Sequence, residues 1–404
     1  EFAHAVVADA LGDPTPRALG RVTLNPLSHL DAVGTILLVL VHFGWGRPVP
    51  VDTRFLRNPR RDLVLIAAAG PAINLATAVV VGLCLRVLAP TLLVTSMGTF
   101  LFLSMQALVL HGVGDLRLED VPRPAPGPGE DDRGVLVRIG FCGVCGSDIP
   151  RIFSKGTYSS PTVCGHEFAG TVESVAEGLG GFAPGDRVAV FPLLWCGDCG
   201  PCREEKYAQC VDYDYLGSRC DGAFAEYVTA PAANLVPVPD GVSLEEAAMT
   251  EPAAVALHAV RRGGGCAEGE TVAIFGIGPI GLMVAQWVRA AGAARVLLFD
   301  LEQAKLEQAR EMGFEEVFDS ADSDPVKVVE KSTRGEGVSL TFDGAGVPQT
   351  LLQAMETVCR GGRVVMLGNP SADVTVPSAL ISQLMRREAT LHGTWNSHFS
   401  ASGG

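Results

Sequence analysis

Thr271-Val-Ala-Ile-Phe-Gly276-Ile-Gly278-Pro279-Ile280-Gly281 decides the fold. An apolar strand-like run passes through a glycine-rich turn into an amphipathic helical pattern, the setting in which a G-x-G-x-x-G sequence binds a dinucleotide. Gly276, Gly278 and Gly281 permit a tight turn and let a pyrophosphate approach the free N–H groups at the helix start, with Pro279 and Ile280 inside the same turn. Asp300 ends the next apolar run, nineteen residues beyond Gly281. An acid there accepts hydrogen bonds from ribose hydroxyls and repels a 2′-phosphate, so NAD is expected over NADP.

Outward from this stretch the pattern repeats. Strand-like residues 271–275 and 296–299 alternate with helical residues up to about 291 and at 303–312. That alternation describes a doubly wound parallel sheet with crossover helices, an α/β fold occupying residues 247–404. Upstream, residues 105–246 carry short strands, such as 135–139 and 188–191, between Gly, Pro and Asp turns, with a proline-rich loop at 122–129. This segment reads as a β-rich lobe.

Two sets of metal-type donors lie in that lobe or at its border. Cys196, Cys199, Cys202 and Cys210 form a C-x2-C-x2-C-x7-C array loosened by Gly197 and Gly200. Four thiolates with no open position describe a structural zinc site; a pair of disulfides is the alternative reading. The second set is dispersed: Cys145 in Gly143-Val-Cys-Gly-Ser-Asp148, His166 and Glu167 after Gly165, and Glu251 before Pro252. A thiolate, an imidazole and a carboxylate from separate loops make the incomplete shell of a catalytic zinc, with one position left for water or an alcohol.

Composition narrows the classes further. Residues 1–104 hold eight arginines, no lysine and six acids, a net charge of about +2, whereas the remainder carries about −16. An acidic surface without clustered Lys and Arg excludes nucleic acid as a partner. The cysteine count of eleven is odd and no signal-like segment opens the chain, which favours a reducing cytoplasm and metal thiolates.

The first quarter has a different character. Residues 33–45 are apolar but short, and residues 63–86 form a longer apolar run, where about 20 residues suffice to span a bilayer. Between them Arg47, Arg54, Arg57, Arg60 and Arg61 outnumber two acids, so that loop is expected on the cytoplasmic side. Residues 91–104 reach only about 21 Å as a helix and compete with the strand-turn-strand pattern at 106–115. A membrane contact through residues 33–104 follows as an expectation.

From Met105 onward the chain resembles the zinc-containing medium-chain alcohol dehydrogenase family, in its polyol branch of sorbitol and galactitol-1-phosphate dehydrogenases. The likeness rests on Cys145-Gly-Ser-Asp-Ile-Pro-Arg151, Pro161-Thr-Val-Cys-Gly-His-Glu-Phe168, Tyr213-Asp-Tyr-Leu-Gly-Ser-Arg219, Glu251-Pro-Ala-Ala-Val-Ala-Leu-His258 and Gly393-Thr-Trp-Asn-Ser397. It implies a GroES-like β-rich catalytic domain ahead of a Rossmann domain, and two zinc ions per chain with NAD. It further implies that Cys145 and His166 bind the catalytic zinc, that Glu167 and Glu251 compete for the carboxylate place, that Ser147 takes the alcohol proton and that Asp148 orients a ligand. Glu251, where simple alcohol dehydrogenases carry a cysteine, points to the polyol branch. Arg151 reads either as a phosphate partner or as a surface charge.

Residues 1–104 resemble the site-2 membrane zinc metalloproteases, through Glu1-Phe-Ala-His4, Asn25-Pro-Leu-Ser-His-Leu-Asp31, Phe43-Gly-Trp-Gly-Arg-Pro-Val-Pro50, Asn58-Pro-Arg-Arg61 and Ala69-Gly-Pro-Ala-Ile-Asn74. Of that family's two histidines, glutamate and later aspartate, only His4 and Glu1 stand here, so no proteolysis is expected. The chain begins at Glu1 without methionine and stops at Gly404, where the dehydrogenase family normally continues; both ends read as cut, and the junction near residue 104 as a fusion.

Three function classes follow. The motifs favour an oxidoreductase moving a hydride from a secondary alcohol of a polyol or polyol phosphate to NAD, in the cytoplasm and as a homo-oligomer. A non-catalytic chimera of two truncated proteins and an intramembrane metalloprotease are the alternatives.

Overall fold

The computed structural model of the chain describes residues 2–23, 25, 49–69, 104–127 and 133–399. The chain divides into two compact units, Glu1–Ser104 and Met105–Gly404. In the first, helix α1 (Phe2–Ala10) carries Ala8 into a small buried cluster with Leu56 and Ile66. The Asp13 carboxylate accepts from the backbone N–H of Thr15 at 3.0 Å and of Asp52 at 2.7 Å, tying two segments together. Residues 59–69 are helical. No helix among the described residues is long and apolar enough to cross a membrane.

The apolar run at 63–86 is described only as far as residue 69, and residues 33–45 and 91–103 lie outside the described residues. The expected helical membrane fragment therefore falls mostly outside them. His4 sits on α1, whereas Glu1 and nearly all of the segments 25–31, 43–50 and 69–74 lie outside.

In the second unit, a five-stranded antiparallel sheet runs β10-β6-β5-β3-β9. Its strands are β3 (Val135–Gly143), β5 (Glu167–Val175), β6 (Arg187–Val190), β9 (Tyr227–Ala230) and β10 (Leu235–Pro237). Beside it stands a three-stranded sheet of order β2-β1-β4, from β1 (Ser104–Gly112), β2 (Asp115–Pro122) and β4 (Thr162–Val163). Val135, Val137, Phe168, Val172, Val188 and Val190 bury one face of the larger sheet, as β-branched and aromatic residues at alternating positions should. A small ribbon of β7 (Leu193–Trp195) and β8 (Tyr213–Tyr215) flanks the cysteine array. The long β3–β5 ladder sets Gly143 opposite Glu167, so the turn after β3 and the start of β5 meet at one end.

Two helices then lead to the parallel sheet. Ser243 and Glu246 form a reciprocal capping box that starts α2 (Leu244–Ala248), whose Ala247 and Ala248 pack on Ala169 and Ala189. Helix α3 (Thr250–Arg262) instead packs Ala256, Ala259 and Val260 against the parallel sheet.

That sheet has six strands in the order β13-β12-β11-β14-β15-β16: β11 (Thr271–Phe275), β12 (Arg295–Asp300), β13 (Val317–Asp319), β14 (Val338–Asp343), β15 (Val358–Met366) and β16 (Thr390–Gly393). All five pairings are parallel, the strand order of a dinucleotide-binding doubly wound fold. Its strands read as apolar runs because both faces are covered. Val272 and Ile274 point to the layer of α3, α4 (Pro279–Ala290) and α5 (Gln303–Glu311). Ala273 and Phe275 point to that of α6 (Pro325–Ser332), α7 (Pro348–Thr357) and α8 (Ser378–Arg387). The architecture is a GroES-like sheet assembly joined to a Rossmann-type α/β layer.

The glycine turn is where the layers touch. A Cβ on Gly281 would lie 2.2 Å from the Gly276 carbonyl oxygen, so α4 approaches the turn only because position 281 has no side chain. Gly281→Ala is expected to lower Tm by several degrees and to weaken NADH binding, measured by thermal unfolding and fluorescence titration.

Candidate metal and dinucleotide site

Cys145 sits in the turn leaving β3, and His166 and Glu167 sit where β5 begins. One donor atom from each lies within 4.8 Å of the other two, with His166 and Glu167 buried. The fit depends on a small residue across the ladder: a Cβ on Gly143 would stand 2.5 Å from Glu167 Oε2. Gly165, at φ +94°, is also required, because a Cβ there would meet Phe224 at 2.6 Å and Cys142 Sγ at 2.9 Å.

Electrostatics at this cluster suit a set of metal donors. Burial pushes the Cys145 thiol up to about 11 and holds His166 down at about 4, so the imidazole is neutral at physiological pH, the form that binds metal. The carboxyls of Glu167 and Asp148 are both raised, chiefly by burial. His166 Nδ1 has no hydrogen-bond partner and lies 3.5 Å from Asp148 Oδ1. A bound divalent cation would reverse the penalties on thiol and carboxylate, and the mixed sulfur, nitrogen and oxygen donor set fits zinc.

Asp148 is fixed from both sides. Its Oδ2 accepts from the Cys145 N–H at 3.0 Å and its Oδ1 accepts from Arg151 at 2.5 Å. Arg151, read from sequence as a phosphate partner or a surface charge, is instead turned inward, its side chain only 15% exposed.

Glu251 does not join the three-donor group. It enters from the first turn of α3, is buried, and accepts a hydrogen bond from the Tyr215 hydroxyl at 3.0 Å. Burial, reinforced by the Glu167 charge, pushes it up to about 8. Ser147 is exposed two residues beyond Cys145.

The four cysteines of the array converge as well. Their Sγ atoms all lie within 4.8 Å, with separations of 3.5 Å for Cys196 and Cys210 and 3.9 Å for both Cys196 with Cys202 and Cys199 with Cys210. Thiolates at about 2.3 Å from a tetrahedral zinc would be about 3.8 Å apart, whereas a disulfide needs about 2.05 Å. All four are free thiols, and the backbone N–H of Cys196 donates to Cys210 Sγ at 3.3 Å.

At the glycine turn, Gly276 holds φ +91° and a Cβ there would lie 2.6 Å from the Ala345 nitrogen. Nothing lies within 4 Å of the position of a Cβ on Gly278, which leaves the helix start open to a phosphate. Pro279 and Ile280 begin α4. Asp300 closes β12, its Oδ2 accepting from the Ile277 N–H at 2.8 Å and its Oδ1 from the Leu301 N–H at 2.8 Å. These bonds hold the carboxylate at the edge of the turn.

Comparison with known proteins bears on the same residues. The alcohol dehydrogenase GroES-like domain family matches residues 131–240 and the zinc-binding dehydrogenase family matches residues 279–402. The chain is similar to galactitol 1-phosphate 5-dehydrogenase of Escherichia coli strain K12, 36% identical over 266 residues that cover 66% of this chain and 77% of that protein. The chain belongs to the zinc-dependent medium-chain alcohol dehydrogenase family, of polyol type. Sorbitol dehydrogenase of Bacillus subtilis is 35% identical over 274 residues, covering 66% of this chain and 76% of its own. The crystal structure of galactitol-1-phosphate dehydrogenase from Escherichia coli superposes with a TM-score of 0.68 at 35% identity, over 72% of this chain and 84% of the other.

As a zinc-dependent, NAD-linked dehydrogenase, the chain has features around its donors that the sequence reading left without a role. Tyr215, in sequence one residue of a longer motif, holds Glu251; Gly143 and Gly165 make the space for Glu167 and the turn. Only the small size of residues 143 and 165, next to the ligand motifs, signalled the latter pair.

Two outcomes follow for this dehydrogenase. Cys199→Ser is expected to lower bound zinc from two equivalents to one and to reduce Tm, read by atomic emission and thermal unfolding. In the metal-free protein, native Glu251 keeps its proton up to about pH 8, whereas the unfolded carboxyl loses it near 4.5. The native state thus binds more protons in between, and stability falls as pH rises through this window. His166 acts oppositely, but only between about 4 and 6.5. Cys199, held down at about 6, acts oppositely up to about 9, so the Glu251 effect is read as a difference: in urea unfolding between pH 6.5 and 8 the stability of Glu251→Gln relative to the parent should rise with pH.

Proposed function

We propose that the chain transfers a hydride from a secondary alcohol of a polyol or polyol phosphate to NAD, with a zinc held by Cys145, His166 and Glu167. The observation that carries this reading is the convergence of a thiol, an imidazole and a carboxyl within 4.8 Å, in the same unit as the glycine turn. When bound, the zinc lowers the pKa of the substrate alcohol and NAD accepts the hydride.

The chain's own residues divide the remaining work. Ser147, exposed beside Cys145, receives the alcohol proton and passes it to solvent. Asp148 orients the His166 ring while Arg151 keeps Asp148 from turning away. Glu251 is the neighbouring acid, held by Tyr215 so that it faces Glu167 without taking its place. Gly276, Gly278, Pro279, Ile280 and Gly281 seat the pyrophosphate and Asp300 the adenosine ribose. Cys196, Cys199, Cys202 and Cys210 hold a second, structural zinc.

The same reading assigns residues 105–246 to the catalytic lobe and 247–404 to the NAD lobe. It is supported by α2 packing on Ala169 and Ala189 and α3 on the parallel sheet. It makes the protein a homo-oligomer, for which β16 at the edge of its sheet offers a pairing surface, working in the cytoplasm where NAD is available. Residues 1–104 would act as a membrane-associated segment, supported by their apolar runs and arginine loop.

The test is NADH formation with galactitol 1-phosphate, sorbitol and related polyols. Turnover is expected to vanish with a chelator and to return with zinc, and His166→Ala is expected to reduce it by at least about a hundredfold. Zinc-loaded protein that oxidises none of these alcohols would contradict the reading.

A further inference from the structure

One stretch of chain, residues 210–223, touches both donor clusters. It leaves the cysteine array at Cys210 and enters β8 three residues later. β8 pairs with β7, Trp195 opposite Tyr213 and Leu193 opposite Tyr215, and β7 runs directly into Cys196. Both strands of the ribbon are therefore tethered to array cysteines at the same end, where the Cys196 N–H donates to Cys210 Sγ at 3.3 Å. Trp195 stacks at 4.2 Å on Tyr207, which lies in the loop between Cys202 and Cys210. Cys202, Cys210 and Tyr215 share one buried cluster with Phe191, Leu193 and Tyr207. A ribbon of two three-residue strands has little stability of its own, so its geometry depends on what its ends are fixed to.

The other end of the ribbon meets the catalytic donors. The Tyr215 ring stands edge-on to His166, with centroids 5.7 Å apart, and its hydroxyl donates to Glu251 at 3.0 Å. The chain then turns onto residues 163–165, just ahead of His166. The Gly222 N–H donates to the Val163 carbonyl at 2.8 Å, the Ala223 N–H donates to the Gly165 carbonyl at 2.9 Å, and Asp221 accepts from the Val163 N–H at 2.9 Å. A Cβ on either Gly217 or Gly222 would collide with the Gly165 carbonyl oxygen, so the turn and the residue before His166 are in backbone contact. Arg219 closes the turn, its guanidinium 4.4 Å from the ring of Tyr213 and 4.4 Å from that of Tyr158.

We propose that residues 210–223 couple the two metal sites: the metal of the cysteine array seats Tyr215 and the interlocked glycine turn, and these hold His166 and Glu251 in place at the catalytic metal. The inference rests on the dehydrogenase reading for the use of the second metal and goes beyond it. The array becomes a positioning element for the reaction as well as a staple of the fold. The coupling is reciprocal, since a metal that tightens the other site is itself held more tightly when that site is filled.

Cobalt titration of the full chain, with zinc kept in the array, tests the proposal, because the thiolate-to-cobalt absorption band then reports the Cys145 site alone. Cys199→Ser, expected to empty the array, should weaken cobalt binding at Cys145, His166 and Glu167 about tenfold and change the band, as loss of outer support for a ligand does. Tyr215→Phe keeps the ring and removes the hydroxyl. In that background the same Cys199→Ser step should weaken cobalt binding by no more than about threefold, the difference measuring the coupling that Tyr215 carries. Leu306→Ala opens a cavity in a cluster of the parallel sheet that includes no residue of 210–223, and should lower Tm without moving the cobalt affinity.

An affinity and band unmoved by Cys199→Ser, a loss that Leu306→Ala reproduces, or a step of equal size with and without the Tyr215 hydroxyl would each overturn the proposal. If Cys199→Ser does not fold, the coupling is read in reverse by chelator titration of the array zinc. His166→Ala should weaken that zinc about tenfold, and an unchanged array affinity would overturn the proposal. Every readout is metal binding, so coupled sites in a protein that oxidises no polyol contradict the dehydrogenase reading alone, and polyol turnover with uncoupled sites overturns this proposal alone.

Discussion

Gly143 stands opposite Glu167 across the β3–β5 ladder, and the place a methyl group would occupy is taken by the Glu167 carboxylate. The rest of the site depends on that contact. It brings the carboxyl of one strand within reach of the thiol in the turn leaving the other, with His166 next in sequence completing the trio. The valines and Phe168 that bury the sheet face keep the ladder in register, because a slip of one residue would turn Glu167 to the opposite face. Sheet packing and donor geometry are thus one constraint.

The electrostatic consequence is an unbalanced interior. Asp148, Glu167 and Glu251 are buried near one another, with Arg151 as the cation bonded to Asp148 and with a neutral imidazole. Burial raises all three carboxyls, and repulsion from neighbouring carboxylates adds to it at Glu167 and Glu251. Such an arrangement is unfavourable without a cation and favourable with one, so metal binding and the local fold are coupled. Tyr215 matters here because its hydroxyl gives Glu251 a partner of its own, leaving Glu167 as the carboxyl grouped with Cys145 and His166.

The features legible in the sequence are those encoded over short spans. The glycine turn with its flanking strand and helix, the acid at residue 300 and the cysteine spacing from 196 to 210 each depend on neighbours within about twenty residues, and the structure brings each set together. That Glu167 groups with Cys145 and His166 while Glu251 pairs with Tyr215 was not legible, because that pairing joins residues thirty-six apart along the chain. Nor was the inward turn of Arg151, since an arginine beside a ligand loop reads the same whether it meets solvent or a buried acid.

Cys145, His166 and Glu167 are proposed to hold the catalytic metal while Glu251 stands aside. Crystals of the zinc-loaded protein, recorded with anomalous scattering at the zinc edge, test it most directly. Two peaks are expected, one among the four cysteines and one among Cys145, His166 and Glu167, with the Tyr215 to Glu251 hydrogen bond retained. A single peak at the cysteine array, or a second ion bound by Glu251 with Glu167 turned away, would contradict it.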